Sequence, residues 1–196
     1  ADIVCSIKCN AVKIVEAHNA RPFLFPADIR RNSLYHFIYC KIHGYLFLKR
    51  VEHNADIVVC LTQGDAAEWR KAKRTAIIPN YSIMPVKKLS DNTSKRVIAV
   101  GRLDWQKGYE RLVSIWEIVN QKHPDWHLDI FGEGSLKAEL NKQIAKAGFS
   151  NVTIHPFTSN ISEEYAASSI YVLTSHHEGF SLSLLEALRH GLPSVV

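Results

Sequence analysis

Cysteine is scarce in this chain of 196 residues, and the four present, Cys5, Cys9, Cys40 and Cys60, have neither metal-ligand spacing nor disulfide density. They read as reduced core thiols of a cytoplasmic protein. No apolar run approaches the eighteen or more residues of a membrane-spanning helix, and nothing at the N-terminus reads as a signal peptide. Internal repeats and low-complexity tracts are absent. The formal net charge is +5, yet no recognised nucleic-acid-binding motif accompanies it, which sets that partner class aside. Nor does a G-x-G-x-x-G open the first βα turn after Val97, which removes the usual fingerprint of a nicotinamide-dependent oxidoreductase. The Asn-x-Ser/Thr triplets at Asn80, Asn92, Asn151 and Asn160 are read as chance.

What remains is an ordinary globular composition, 46% hydrophobic and 22% charged, arranged as two halves of α/β alternation. From Val97 onward the pattern predicts strands at 97–100, 128–131, 152–155, 170–174 and 194–196. Between them it predicts helices at about 109–122, 136–147, 162–168 and 182–190. Repeated βα units with short turns imply a parallel sheet covered by helices, with ligands at the carboxyl ends of its strands. Before Lys95 the pattern is looser: strands at 2–5 and 12–15, a helix over 32–50, a strand within 55–62 and a short helix. The stretch from Tyr81 to Ser94, with Pro85 and a polar run, reads as a connection. The expected organisation is a domain over 1–84, a linker over 85–95 and a second domain over 96–196.

Chemistry concentrates near the C-terminus, in Ser175-His176-His177-Glu178-Gly179-Phe180-Ser181-Leu182 and the helix that follows to Gly191. Glu178 and Glu186 stand eight positions apart. A helix N-terminus leaves its first amide N–H groups without intrahelical partners and carries the positive end of the macrodipole, so Gly179, Phe180, Ser181 and Leu182 offer backbone donors to an anion. Glu186 falls roughly 7 Å further along the helix, near the separation of a phosphate from the sugar that follows it in a nucleotide. Its carboxylate is a natural acceptor for a ribose diol. Upstream, Gly101-Arg102-Leu103-Asp104-Trp105-Gln106-Lys107-Gly108 follows the strand at Val97–Val100. Arg102, a planar two-pronged donor, and Lys107, a compact point charge, lie five positions apart on one loop and suit a diphosphate. A third strand runs into the glycine-bracketed turn Phe131-Gly132-Glu133-Gly134-Ser135.

These residues resemble the E-x₇-E signature and the G-R-L-x-x-x-K-G loop of retaining glycosyltransferases with the two-domain GT-B fold, above all family 4, or group 1, which uses nucleotide sugars. The resemblance implies two Rossmann-like parallel-sheet domains facing a cleft, both incomplete in this chain. It implies transfer of a sugar from a nucleoside diphosphate sugar to an acceptor hydroxyl with retention at the anomeric carbon. Donor binding would fall to Arg102, Lys107, Gly132, Gly134, Glu178, Gly179, Phe180, Ser181, Leu182 and Glu186, and catalysis to Glu178, His18, Arg102 and Lys107. His18, after a strand, matches a histidine that members place facing the donor sugar. Glu178 is cast as a positioner of that sugar rather than a covalent nucleophile. No Asp-x-Asp occurs in the chain, so metal and cofactor are expected to be none. Ser181, where glycine is common, and His190, where a small residue is usual, depart from the pattern and bear on sugar preference.

By family frequency the donor is expected to be a uridine diphosphate sugar and the acceptor a sugar, lipid-linked or polysaccharide chain of a bacterial capsule, lipopolysaccharide or exopolysaccharide. The chain aligns as the second half of an acceptor-side domain and most of a donor-binding domain. Its first fifty residues are rich in lysine and arginine, and Leu34–Arg50 is aromatic with basic ends. That composition suits a peripheral helix at the inner face of the membrane, although its apolar residues on several faces favour a buried helix. The alternative reading of the whole is a non-catalytic nucleotide-sugar-binding subunit of the same fold. Loss of Glu178, Arg102 or Lys107 would mark it, and all three are present.

Overall fold

The computed structural model describes residues 5–7, 9–17 and 34–196. They form two compact units, one of residues 1–80 with Glu178–Phe180, the other of residues 81–177 with 181–196.

In the first unit, β1 (Ile14–Ala17), α1 (Leu34–Asn54), β2 (Ile57–Cys60), α2 (Gln63–Glu68) and β3 (Thr75–Ile77) give a parallel sheet in the order β1-β2-β3. The β-branched run of β2 sits centrally, and Val15, Ala17, Val51, Ala55, Val58, Cys60 and Trp69 close the core. Burial pushes the Cys60 thiol up to about 11, so it is an inert core group. Thr62 caps α2, its Oγ1 accepting from the Asp65 N–H at 3.0 Å. Asp56 fixes the start of the sheet: its carboxylate accepts from the Lys13 N–H at 2.9 Å and from Lys73 Nζ at 3.0 Å.

Three expectations for this unit are corrected. Cys5 and Ser6 are helical, not the end of a strand at 2–5; an apolar run this short has no period of its own to distinguish the two. The next strand lies two residues later than expected, because pairing sets the register: Ile14 aligns with Ile57, and Val12 is 69% exposed. The long helix runs to Asn54 rather than Arg50, and among its residues with described burial one face is buried and another exposed. Gly44, Val51 and Glu52 face inward, with Phe47 and Leu48 packed against the core, while Ile38, Ile42, Tyr45 and Leu46 are exposed.

The second unit runs β4 (Arg96–Val100), a 3₁₀ turn (Trp105–Lys107), α3 (Tyr109–Lys122), β5 (His127–Phe131), α4 (Lys137–Ala147), β6 (Val152–His155), α5 (Ile161–Ala166), β7 (Ile170–Val172), α6 (Leu182–Arg189) and β8 (Ser194–Val195). All five strands are parallel, in the order β6-β5-β4-β7-β8. Both faces of β4 are buried, which is why it reads as a continuous apolar run. Val97 and Ala99 pack with Leu112, Val113 and Trp116 of α3 and Leu140 of α4. Ile98 packs on the opposite face with Tyr165, Tyr171, Ala187 and Leu192.

The chain steps outward from β4 to β6, then crosses to β7 on the other side of β4. The topological switch point of this doubly wound sheet therefore lies at the carboxyl ends of β4 and β7. β7 is shorter than its apolar run because Thr174 leaves the ladder to bond the segment after β4. Residues 82–94 run along this unit through named bonds: Ser162 Oγ donates to Pro85 O at 3.0 Å, the Ser90 N–H to His190 O at 2.9 Å, and Ser94 Oγ meets Ser169 Oγ at 3.1 Å.

Candidate functional site

The loops after β4 and β5 are joined backbone to backbone. The Gly101 N–H donates to Phe131 O at 3.0 Å, the Leu103 N–H to Glu133 O at 2.8 Å, and the Leu136 N–H to Leu103 O at 2.9 Å. A Cβ on Gly132 would lie 1.9 Å from Gly101 O, and one on Gly134 would lie 2.4 Å from Leu103 O. Glycine at both places is thus required by loop packing. Leu103, fully buried, anchors the junction and leaves Arg102 pointing outward, its side chain 73% exposed and 3.4 Å from Asp104 Oδ2. Asp104 also caps the 3₁₀ turn, accepting from the Lys107 N–H at 3.3 Å. The Lys107 stem folds across Gly101: a Cβ there would meet Lys107 Cε at 3.2 Å and Tyr109 Oη at 2.9 Å. Arg102 and Lys107 thus both lie on the short segment that follows β4, Arg102 before the 3₁₀ turn and Lys107 at its end.

The loop after β7 is tied to that same segment. Thr174 Oγ1 donates toward Lys107 O at 3.2 Å and Gly108 O at 3.1 Å, and Arg111 Nη2 donates to Thr174 O. The His176 N–H donates to Gln106 O at 2.8 Å, and Gln106 Nε2 donates to His177 O at 3.2 Å. Gly108 has a left-handed φ of 63°, and a Cβ on it would strike Thr174 O at 2.3 Å. These tying residues, Trp105, Gln106, Arg111 and Thr174, were not expected from the sequence. A tryptophan inside an otherwise polar loop was the one visible signal. Glu178, Gly179 and Phe180 group with the first unit, and His18 lies outside the described residues.

At the start of α6, Ser181 is the N-cap: its Oγ accepts from the Leu184 N–H at 3.3 Å and lies 3.2 Å from Ser183 Oγ. The serine that departs from the family pattern therefore has a helix-capping role, with the Leu182 amide at the first turn. Glu186 is half-buried. Ser82 Oγ donates to its Oε1 at 3.5 Å and Tyr165 Oη to its Oε2 at 3.3 Å. Burial raises its pKa, opposed by the Tyr165 and Ser82 hydroxyls and by the charges of His190 and Arg189. Arg189 Nη1 fixes the same extended segment by donating to Ser82 O at 2.7 Å. His190, the other departure, is fully buried; its Nδ1 donates to Glu186 O at 2.7 Å and its Nε2 meets Ser162 Oγ at 2.8 Å. Its contacts are those of a residue locking α6 to α5. Among the described residues no group of three or more His, Cys, Asp or Glu side chains is placed to hold a metal ion.

The loop carrying Arg102 and Lys107 and the capped N-terminus of α6 both follow strands that meet at the switch point of a parallel sheet. Residues 82–196 match the family described as glycosyl transferases group 1. The chain belongs to this family. Among its relatives, an uncharacterised glycosyltransferase of Haemophilus influenzae is 36% identical over 147 residues, covering 71% of this chain and 41% of that protein. The amylovoran biosynthesis glycosyltransferase AmsD of Erwinia amylovora is 34% identical over 152 residues, 72% of this chain and 43% of that protein. This group 1 chain thus spans less than half the length of these two relatives. A solved structure of an S. aureus TarM mutant, in complex with UDP and α-GlcNAc-glycerol among its ligands, aligns over 94% of this chain and 36% of its own, with a TM-score of 0.76 and 22% identity. The fold is that of the GT-B glycosyltransferases, each unit a Rossmann-like parallel sheet.

Proposed function

We propose that the full-length group 1 glycosyltransferase moves a sugar from a nucleoside diphosphate sugar, uridine favoured, to an acceptor hydroxyl with retention of anomeric configuration. The observation that supports this is that the segment carrying Arg102 and Lys107 follows β4, at the switch point where doubly wound sheets bind ligands. In the proposed reaction the bond from the anomeric carbon to the leaving phosphate breaks as the acceptor oxygen bonds the same face of that carbon. The acceptor proton passes to the departing phosphate oxygen. Arg102, Lys107 and the first amides of α6 stabilise the charge that develops on the diphosphate. Glu186 accepts from the ribose diol, Glu178 holds the transferred sugar, and His18 steadies the reacting centre. UDP in the complex of the TarM mutant supports a uridine donor, and the biosynthetic role in the name of the amylovoran glycosyltransferase AmsD supports a bacterial envelope or extracellular polysaccharide as product.

The test is calorimetric titration of the full-length protein with UDP. Arg102→Ala and Lys107→Ala are each expected to weaken binding by about 1.5–3 kcal/mol, the range for hydrogen bonds to charged groups. Unchanged affinity in both variants removes the diphosphate from this loop. A second part of the proposal concerns location: the exposed face of α1 supports peripheral binding to an anionic membrane surface. No helix among the described residues is long and apolar enough to cross a membrane.

A further inference from the structure

The four residues Thr174–His177 have no regular secondary structure, yet they must deliver the chain from β7 to Glu178 along one path. Hydrogen bonds to the segment after β4 hold them, and a ring stack joins the same two loops. Trp105 and His176 lie nearly parallel, centroids 4.4 Å apart and planes 10° apart, and His177 tilts against the same indole at 6.0 Å. His176 Nε2 also meets Glu110 Oε1 at 3.5 Å. Trp105 belongs to none of the hydrophobic cores of this unit. Its Nε1 is buried without a hydrogen-bond partner, as is Glu110 Oε2, although burying such an atom unpaired is unfavourable. The polar tip of the indole is thus unused, and its flat face is what the protein employs.

We propose that Trp105 and His176, with Gln106, form an aromatic latch between the loops after β4 and β7, and that they are positioning residues for the nucleotide-sugar donor. The proposal rests on the donor reading above. One side of the latch is the turn that carries Lys107, whose carbonyl accepts from Thr174. The other side ends at His177, whose carbonyl Gln106 holds one residue before Glu178. A single stack therefore sets the backbone on which the diphosphate-binding cation and the sugar-binding carboxylate both depend. Misplacing such groups by about 1 Å costs on the order of a hundredfold in rate.

The experiment compares full-length Trp105→Ala and His176→Ala with Trp105→Phe and His176→Phe, using three readouts. In the ligand-free protein, amide hydrogen exchange over residues 174–178 is expected to quicken about tenfold or more in the alanine variants, with β4 to β6 unchanged. UDP affinity and kcat with a UDP-sugar are expected to fall at least about tenfold, with the KM for acceptor unmoved. The phenylalanine variants, which keep a ring to stack, are expected to recover most of both losses. Unchanged exchange in the alanine variants overturns the latch. Faster exchange with unaltered affinity and turnover overturns its positioning role. Phenylalanine variants as defective as alanine ones overturn the stack in favour of direct ring chemistry. A parent protein that binds no nucleoside diphosphate refutes the donor reading and, with it, the positioning role; the exchange difference separates that outcome from failure of the latch itself.

Discussion

Glu186 is a carboxylate kept where its charge is disfavoured. Its burial raises the pKa above the ordinary 4.5, and only two hydroxyl donors and two basic neighbours offset that cost. A carboxyl raised in the folded state binds its proton more tightly there than in the unfolded chain. Its protonated form therefore stabilises the fold below the ordinary value, and this stabilisation is lost as pH rises through the folded value. At neutral pH the ionised group is a liability in the ligand-free protein, and a ribose diol would be the natural donor pair to relieve it. Glu186→Gln removes the charge while Tyr165 Oη can still donate to Ser183 O, 3.3 Å away. The variant is expected to melt at a higher temperature than the parent at pH 7–8, with the gap closing as pH falls toward 4.5, and to bind UDP more weakly. Thermal melts across pH together with UDP titration decide it: a variant that loses stability at neutral pH, or binds UDP as the parent does, contradicts this account of the residue.

Among the elements, α1 is the one whose sequence pattern and packing differ most. A helix apolar on several faces reads as buried, since burial is the common way to remove apolar surface from water. Its core-facing side has the expected spacing, Gly44, Phe47, Leu48, Val51. Ile38, Ile42, Tyr45 and Leu46, spaced four, three and one apart, form a second apolar face that is 48%, 53%, 58% and 54% exposed. Lys41, Lys49 and Arg50 on the same helix are exposed, and Lys49 Nζ lies 4.7 Å over the Tyr45 ring. An apolar face bordered by cations fits the interface of an anionic bilayer, where each basic side chain near the surface adds about 1 kcal/mol. The full-length protein is expected to co-sediment with vesicles containing anionic lipid and not with neutral ones. Ile42→Glu with Leu46→Glu should reduce that binding at least about tenfold. Equal binding of parent and variant would assign the stripe elsewhere. The helices and strands of the second unit were legible because each carries its own signal: β-branched runs at β4, Gly148 ending α4 with φ 69°, Gly191 ending α6 with φ 79°. β1 and the helical Cys5 were not, because strand register and short apolar runs are decided by partners remote in sequence. The latch was hidden for the same reason: Trp105 and His176 are 71 residues apart, and nothing in either local stretch names the other.

For the molecule as a whole, the charge balance bears on how the diphosphate leaving group of the proposed reaction would be neutralised. The chain has 24 lysines and arginines against 19 aspartates and glutamates, and two of those cations, Arg102 and Lys107, are on the segment that follows β4 at the switch point. To these α6 adds the positive end of its dipole, roughly half a unit charge. Together they offer about two and a half positive charges, set against the Asp104 carboxylate 3.4 Å from Arg102. A metal clamp would need paired carboxylates instead, and the chain has no Asp-x-Asp. Placing a divalent ion beside Arg102 and Lys107 would also set like charges together. Sugar transfer by the full-length protein is therefore expected to continue in excess chelator at close to its untreated rate. Salt should slow it, by screening two surface cations that attract the donor. Initial rates with a UDP-sugar, measured with chelator, with manganese or magnesium added back, and across ionic strength, test this directly. Activity that vanishes in chelator and returns with either metal would show that Arg102, Lys107 and the helix terminus do not suffice for the leaving group.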